Sequence, residues 1–264
     1  MGTMVKLLQD KVAVVFGIGA VGGAVARVFA SEGARVFLAG RSETRLAAVA
    51  IEVPGAVTAQ VNAFDRDAVF AHADEVVAAT GRIDVAINTV GVLHDQGTAF
   101  SDLTLEQYLL PIDAHTRTNF ITAQAVSRHM MERRSGVVLT MSAPGARLSG
   151  PGFLGHGVAN AAVEAFSRIL AGELGPSGIR VVCIRPHAIP EAVSISHTGA
   201  VFARVAGEQG TTVDGVLDGF AGGTLLGRLP TLADVANYAA FAASDRASAM
   251  TGTIGNLTAG LIVD

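Results

Sequence analysis

Val12-Ala13-Val14-Val15-Phe16-Gly17-Ile18-Gly19-Ala20-Val21-Gly22-Gly23 is the stretch that decides the fold. Five apolar residues run without interruption into Gly-x-Gly-x-x-Gly, and a helical pattern follows. A short apolar run closed by glycine reads as a buried strand. Gly17 permits a tight turn, Gly19 lets backbone approach a pyrophosphate, and Gly22 or Gly23 allows a helix to pack closely on the strand. The first N–H groups of that helix have no partners within it, and together with its dipole they favour an anion. Strand, glycine loop and helix in this order form the fingerprint of a dinucleotide site.

Outward from this loop, short apolar runs alternate with segments of helical length. Strands are predicted at 12–16, 35–39, 56–61, 85–89, 136–141, 180–184 and 253–257. Helices are predicted at 22–31, 43–53, 66–80, 105–133, 157–175 and 232–244. This alternation is the pattern of an α/β, Rossmann-type doubly wound parallel sheet of about seven strands, with helices on both faces. Strands written as continuous Val, Ile and Ala runs are then expected to be buried on both faces. Residues 1–264 show no repeat and no linker, so one domain is expected. From Glu191 to Gly227 the chain is rich in Gly, Ser and Thr and reads as an irregular insertion. It lies beyond the carboxyl end of a strand, where such folds bind ligands, and is expected to be a mobile lid over about 191–227.

Composition narrows the function. The 264 residues are 50% apolar and 16% charged, enough for one sizeable core, and the net charge is −4. Without a Lys/Arg run, neither a nucleic-acid surface nor a polybasic membrane surface is expected. No apolar run reaches the length of a membrane span. Cys183 is the only cysteine, which excludes an internal disulfide and fits a cytoplasmic protein. Its place inside a strand pattern reads as a small core residue rather than a nucleophile.

After the second strand comes Gly40-Arg41-Ser42. A carboxylate there would accept hydrogen bonds from a ribose 2′-hydroxyl and repel a 2′-phosphate. Gly40 has none, whereas Arg41 and Ser42 can bind the phosphate through charge-assisted hydrogen bonds. NADP is therefore expected ahead of NAD.

These features, together with Asn88-Thr89-Val90-Gly91 and Met141-Ser142, resemble the short-chain dehydrogenase/reductase family along nearly the whole chain, down to Gly227-Arg228-Leu229 and Thr251-Gly252. The family's loop has Thr-Gly, three variable residues and Gly-x-Gly; the loop here is one residue shorter, with Phe16 at the Thr. The resemblance places Asn62 at the family's adenine-contacting Asp, and Asn88 and Gly91 in its Asn-Asn-Ala-Gly turn. Ser142 falls on its catalytic Ser. Its Tyr-x-x-x-Lys pair falls on His156 and Asn160, and its helix Asn on His115, or on Asn119 if the register slips by a turn. Pro186-His187 stands at its Pro-Gly beside the nicotinamide, and Glu191 near its carboxamide-holding Thr. The resemblance also implies a homo-oligomer, tetramer or dimer, paired through the helices at 105–133 and 157–175.

The altered residues change the chemistry that is implied. Asn160 can still hydrogen-bond a ribose hydroxyl but brings no charge to depress the pKa of a neighbouring acid. Imidazole can act as general acid or base near neutrality. His156 is therefore the expected proton donor or acceptor, with Ser142 orienting the substrate and His115 as second base or relay. His94 and His197 are within plausible reach, while His72, His94 and His129 read more simply as hydrogen-bonded structural residues. No metal is expected, because no His-x-x-x-His or His-Glu pair shares a helix. A Ser142–His156 nucleophile pair lacks an orienting carboxylate in the sequence. The first functional reading is an NADP(H)-dependent oxidoreductase acting on a small organic molecule, for which reduction of a polarised C=C or C=N bond makes smaller demands than carbonyl reduction. The second is a non-redox cyclase, dehydratase, isomerase or lyase using histidine acid–base chemistry. The third is a catalytically silent nucleotide-binding relative. Phe202, Val213, Val216, Leu217, Phe220, Leu225 and Leu226 in the insertion point to an apolar or mixed substrate.

Overall fold

The computed structural model describes residues 6–263, so the extreme ends of the expected 1–264 domain lie outside the described residues. Strands β1 (Val12–Phe16), β2 (Arg35–Gly40), β3 (Val57–Gln60), β4 (Val85–Asn88), β5 (Gly136–Met141), β6 (Ile179–Pro186) and β7 (Thr253–Leu257) form one sheet in the order β3-β2-β1-β4-β5-β6-β7. Every neighbouring pair is parallel. Between and after them lie α1 (Ala20–Ser31), α2 (Glu43–Glu52), α3 (Arg66–Thr80), α4 (Leu105–Arg133), α5 (Leu154–Leu174), α6 (Pro190–Val193), α7 (Thr198–Gln209), α8 (Val213–Gly222) and α9 (Leu232–Ala243). Among the described residues no helix is long and apolar enough to cross a membrane.

Alternation along β1 assigns side chains to two layers. Ala13 and Val15 join α1 and α9 in one core, while Val14 and Phe16 join α3, α4 and α5 in the other. The central strands β1, β4 and β6 are buried almost throughout, as the apolar runs require. β3, Val-Thr-Ala-Gln, is not such a run: at the sheet edge, Val57, Thr58 and Gln60 are exposed. An edge strand is paired on one side only.

Helix boundaries follow local capping. Asp65 accepts from Ala68 N at 3.1 Å to begin α3, and Gly81, at φ 76°, ends it. Thr104 with Gln107 and Thr231 with Asp234 form capping boxes on α4 and α9. Two helices begin before their expected positions: α1 at Ala20 rather than Gly22, and α5 at Leu154 rather than Gly157. His156 is therefore in the first turn of α5.

The insertion differs most from its sequence reading. Instead of irregular chain it forms α6, α7 and α8. Val201, Phe202, Val205 and Ala206 bury one stripe of α7, and Val216 docks from α8. Thr212 caps α8 by accepting from Gly215 N at 3.1 Å. Gly199, Gly207, Gly215, Gly219 and Gly222 lower the intrinsic helix propensity, but the packing of this stripe overrides it.

Candidate active site

β1 has β2 on one side and β4 on the other, so the chain leaves it in opposite directions and opens a crevice at the carboxyl ends of the strands. Two adjoining cavities fill that crevice. The first, about 460 Å³, runs from the Gly17–Val21 loop past Gly40, Arg41, Ser42 and Arg45 to Asn62 and Phe64. The second, about 480 Å³, is lined by the ends of β4, β5 and β6, by α4 and α5, and by α7 and α8.

The glycine loop is a close backbone crossing. Gly17 has φ +86°, and a Cβ on it would stand 2.7 Å from Val90 N. A Cβ on Gly22 would stand 1.9 Å from the carbonyl oxygen of Gly17, while one on Gly23 would meet only ordinary contacts. Gly22 is therefore the packing glycine. Gly19 caps α1 without a side chain, and a Cβ there would meet nothing within 4 Å, leaving room for a phosphate over the helix N-terminus. Thr89 ties the crossing together by donating to Gly17 O at 2.6 Å.

At the far end of the first cavity, Ser42 caps α2 by accepting from Arg45 N at 3.3 Å. Arg41 and Arg45 line the same wall, so a second arginine joins the expected phosphate end. A Cβ on Gly40 would lie 2.6 Å from Ile18 Cγ1, so an acidic residue could not enter without displacing Ile18. Asn62 also lines this cavity, its Oδ1 accepting from Phe64 N at 3.2 Å. A nucleotide with a 2′-phosphate fits this set of donors: a glycine cradle for the pyrophosphate and two cations beyond it.

Asn88 plays a different part. It donates to Thr118 and Thr122 of α4, both at 3.3 Å, and accepts from Val90 N at 2.9 Å. Its side chain thereby locks the end of β4 to the long helix. Gly91 faces His197: a Cβ there would lie 2.3 Å from His197 Cε1.

The second cavity collects the expected catalytic residues Ser142, His115, His156 and Asn160, with His187 and Asn119. Two more imidazoles line it, His94 and His197. The rings of His94 and His156 lie edge to edge in nearly parallel planes, centroids 5.0 Å apart and inclined by 8°, and the His197 centroid is 6.1 Å from that of His94. His156 Nδ1 and His94 Nε2 are 3.1 Å apart. Asn160, one turn after His156, donates to the His156 carbonyl at 2.8 Å. Asn119 likewise donates to the His115 carbonyl at 2.8 Å, and among the described residues its buried Oδ1 finds no partner. His115 and Asn119 thus both border the cavity without a slip in register. His187 packs against Phe220 of α8 with centroids 5.3 Å apart and accepts from Ala188 N at 2.6 Å.

Near-neutral titration, expected of these imidazoles from the sequence, is not what the cleft provides. Burial, reinforced by His94 and His115, pushes His156 down to about 3. Burial with His94 and His197 pushes His115 down to about 4, and burial alone takes His187 to about 4. Burial also lowers His94, and it lowers His197 with help from His94 and Arg45. At neutral pH all five rings are uncharged, and no Asp, Glu, Lys or Arg is among the described residues lining this cavity. Among the described residues no three metal-ligating side chains come together as a metal site.

Behind the cavity wall lies a buried ion pair that sequence reasoning missed. Glu164, 4% exposed, receives Arg185 Nε at 2.7 Å and Nη2 at 3.1 Å. Ser142 donates its hydroxyl to the same carboxylate at 3.0 Å. The sequence offered no carboxylate for this site; the structure supplies one, directed at Ser142 rather than at His156. Its signal was present: residues 156, 160 and 164 share one helix face, and a charged residue interrupts the apolar run of β6 just before Pro186. For His94 the only signal in the sequence was its nearness to the Asn88–Gly91 turn, because it sits in a loop without periodicity. Cys183 is fully buried in β6.

Residues 17–261 match the family model described as enoyl-(acyl carrier protein) reductase. The chain is 27% identical to the 3-oxoacyl-(acyl-carrier-protein) reductase FabG of Chlamydia muridarum, over 98% of this chain and 100% of the relative. It is 29% identical to the short-chain reductase protein NovJ of Streptomyces niveus, over 95% and 93% of the two chains. A solved structure titled ribose-5-phosphate isomerase from Brucella melitensis superposes with a TM-score of 0.85 at 27% identity, covering 97% of this chain and 93% of that one.

Proposed function

The chain belongs to the short-chain dehydrogenase/reductase family, and from that premise we propose that it is an atypical NADP(H)-dependent oxidoreductase of a small or mid-sized organic molecule, with His156 in the place of the family's Tyr. The observation that carries this reading is the adjacency of the two cavities. The groove that holds the phosphate loop and the Arg41–Arg45 wall shares Val21, Thr89, Val90 and Gly91 with the histidine cleft.

When bound, the nicotinamide cofactor supplies hydride chemistry. The protein's own residues do the rest. Gly17, Gly19 and the start of α1 would hold the pyrophosphate, and Arg41, Ser42 and Arg45 would hold the 2′-phosphate. Asn160 would contribute its amide to the ribose, and Pro186 and His187 would hold the nicotinamide. His156 moves the substrate proton, Ser142 orients the reacting group, and His115 serves as relay. Apolar walls from Phe153, Val201, Phe202 and Phe220 exclude water and fit an organic substrate. Exposed Phe120 on α4 and Ile169 on α5 support pairing of copies through those helices.

Titration with NADPH and NADH, followed by nicotinamide fluorescence, tests this reading. NADPH is expected to bind the more tightly, and no binding of either at millimolar concentration overturns it. Alcohols with NADP, and ketones, enones and imines with NADPH, then identify the substrate class.

A second reading, a non-redox isomerase, dehydratase, cyclase or lyase, is favoured by the uncharged cleft, where neutral imidazoles are the available acid–base groups. The isomerase title carried by a structure of this fold at 27% identity is consistent with it. Turnover without any change in nicotinamide absorbance would select it.

A further inference from the structure

The hydrogen bonds around the cleft fix which of its groups can donate and which can only accept. A backbone carbonyl only accepts, so His94 Nδ1, 2.8 Å from Val92 O, carries the hydrogen of that ring. In the neutral ring Nε2 is then a bare lone pair. That single lone pair is shared by Gln96 Nε2 at 2.8 Å and His156 Nδ1 at 3.1 Å, and a second lone pair on His156 Nδ1 would be repelled there. His156 therefore bears its hydrogen on Nδ1, directed at His94, and its own Nε2 is left bare. Asn160 Nδ2 lies 3.3 Å and 3.4 Å from the two nitrogens of His156, nearly equal distances that place it over the ring rather than in line with either one.

Ser142 is set the same way by a different neighbour. A carboxylate has no hydrogen to give, so Ser142 spends its own hydrogen on Glu164. Arg185 holds that carboxylate in place by a two-point fork. The Cys183 thiol is a second hydrogen-bonding neighbour of Ser142, and toward the cavity it lines Ser142 has no hydrogen left to give, only lone-pair density.

We propose that His94 and the Glu164–Arg185 pair are specificity-determining residues: they set His156 and Ser142 to accept, so that the substrate group recognised between them is a hydroxyl rather than a carbonyl. A carbonyl oxygen would bring lone pairs against lone pairs, whereas a hydroxyl satisfies one of the two acceptors with its hydrogen. The burial that keeps both imidazoles uncharged holds this arrangement through the neutral range. Assigning the reacting group to this pair rests on the oxidoreductase reading above, but the polarity of the pair does not.

The test uses the full chain with isotope-labelled histidine and long-range proton–nitrogen spectra near neutral pH, with the His156 signals assigned by their loss in His156→Gln. The expected result is a hydrogen on Nδ1 of both His94 and His156; a hydrogen on Nε2 of His156 overturns the proposal. Cyclohexanol and cyclohexanone are then titrated as matched probes. The alcohol is expected to move the His156 Nε2 resonance and to bind about tenfold more tightly, the worth of one net hydrogen bond. Equal or tighter binding of the ketone, or no binding of the alcohol, overturns it. In Glu164→Gln the new amide can donate to Ser142 and free its hydroxyl, so the alcohol preference should fall. If that variant does not fold, Ser142→Ala serves: it removes the acceptor, and a preference unchanged by it overturns the assignment to Ser142. None of these readouts involves nicotinamide, so failure of NADPH to bind would sink the oxidoreductase reading while leaving this one to its own result.

Discussion

The carbonyl oxygen of Gly17 occupies the space that a side chain on Gly22 would need: a Cβ at position 22 would lie 1.9 Å from it. Gly22→Ala must therefore push the loop off the helix. The expected cost is about 1–3 kcal/mol, the usual range for overpacking, with nucleotide binding lost as well. Gly19→Ala is the control, since a methyl there meets nothing in the protein. Its melting temperature should stay close to that of the parent while NADPH affinity falls, because the methyl stands where the phosphate would lie. Thermal unfolding and fluorescence titration of the two variants separate packing from ligand contact.

Arg41→Ala and Arg45→Ala should each weaken NADPH binding by about ten- to a hundredfold, the worth of a hydrogen bond to a charged group at about 1.5–3 kcal/mol. NADH binding should change little, since it lacks the 2′-phosphate. An equal loss for both nucleotides would place the 2′-phosphate elsewhere.

His156→Phe should lower turnover by about a hundredfold or more, the usual contribution of a positioned acid–base group. Its melting temperature should shift only slightly, because the imidazole is uncharged and its ring partner His94 keeps its bond to Val92. Once a substrate is known, steady-state kinetics and thermal unfolding read the two effects separately. Unchanged turnover would remove His156 from the mechanism.

Glu164→Ala removes the carboxylate that Arg185, 1% exposed, holds with a two-point fork. Loss of one partner of a buried pair is expected to cost about 3–5 kcal/mol. Chemical denaturation measures it, and a loss below about 1 kcal/mol, the scale of an exposed pair, would mean that the pair contributes no more than a surface one.

Stability should fall in mild acid. His115, His156 and His187 stay uncharged in the folded chain down to about 4, 3 and 4, whereas the unfolded chain protonates them near the ordinary value of 6.5. Their folded pKa values are depressed, so below 6.5 the unfolded state binds more protons and gains stability relative to the native state. The loss can reach about 1.4 kcal/mol per pH unit for each such ring and levels off as the folded rings themselves protonate. Denaturant midpoints measured from neutral to mildly acid pH should show it, and a flat profile between pH 6.5 and 4.5 would contradict the burial of these rings.

The sequence was most legible where one residue type has one physical job. The apolar runs located the strands, and the glycines of the first loop named the positions where backbone crosses backbone. Legibility failed where neighbours in space decide. Gly199, Gly207, Gly215 and Gly219 argue locally against α7 and α8, yet the apolar stripe formed by Val201, Phe202 and Val205 needs the whole fold to cover it. β3 already differs from its buried neighbours in sequence through Thr58 and Gln60, and its place at the sheet edge accounts for their exposure. In the site, Ser142, His115, His156 and Asn160 line one cavity. What residue identity could not convey was the state of those groups. The partner of His94 is a backbone carbonyl, the partner of Ser142 comes from α5, and the depth that keeps the rings neutral belongs to the assembled cleft.

Val21, Thr89, Val90, Gly91, Ala192, His197 and Thr198 belong to the walls of both cavities. Two ligands resting on the same side chains are thermodynamically linked. If the occupant of the nucleotide groove alters the affinity of the histidine cleft by some factor, the cleft's occupant must alter the affinity of the groove by that same factor. The wall between the cavities is thus where such a reciprocal dependence would be set, and in it His197 lies against Gly91.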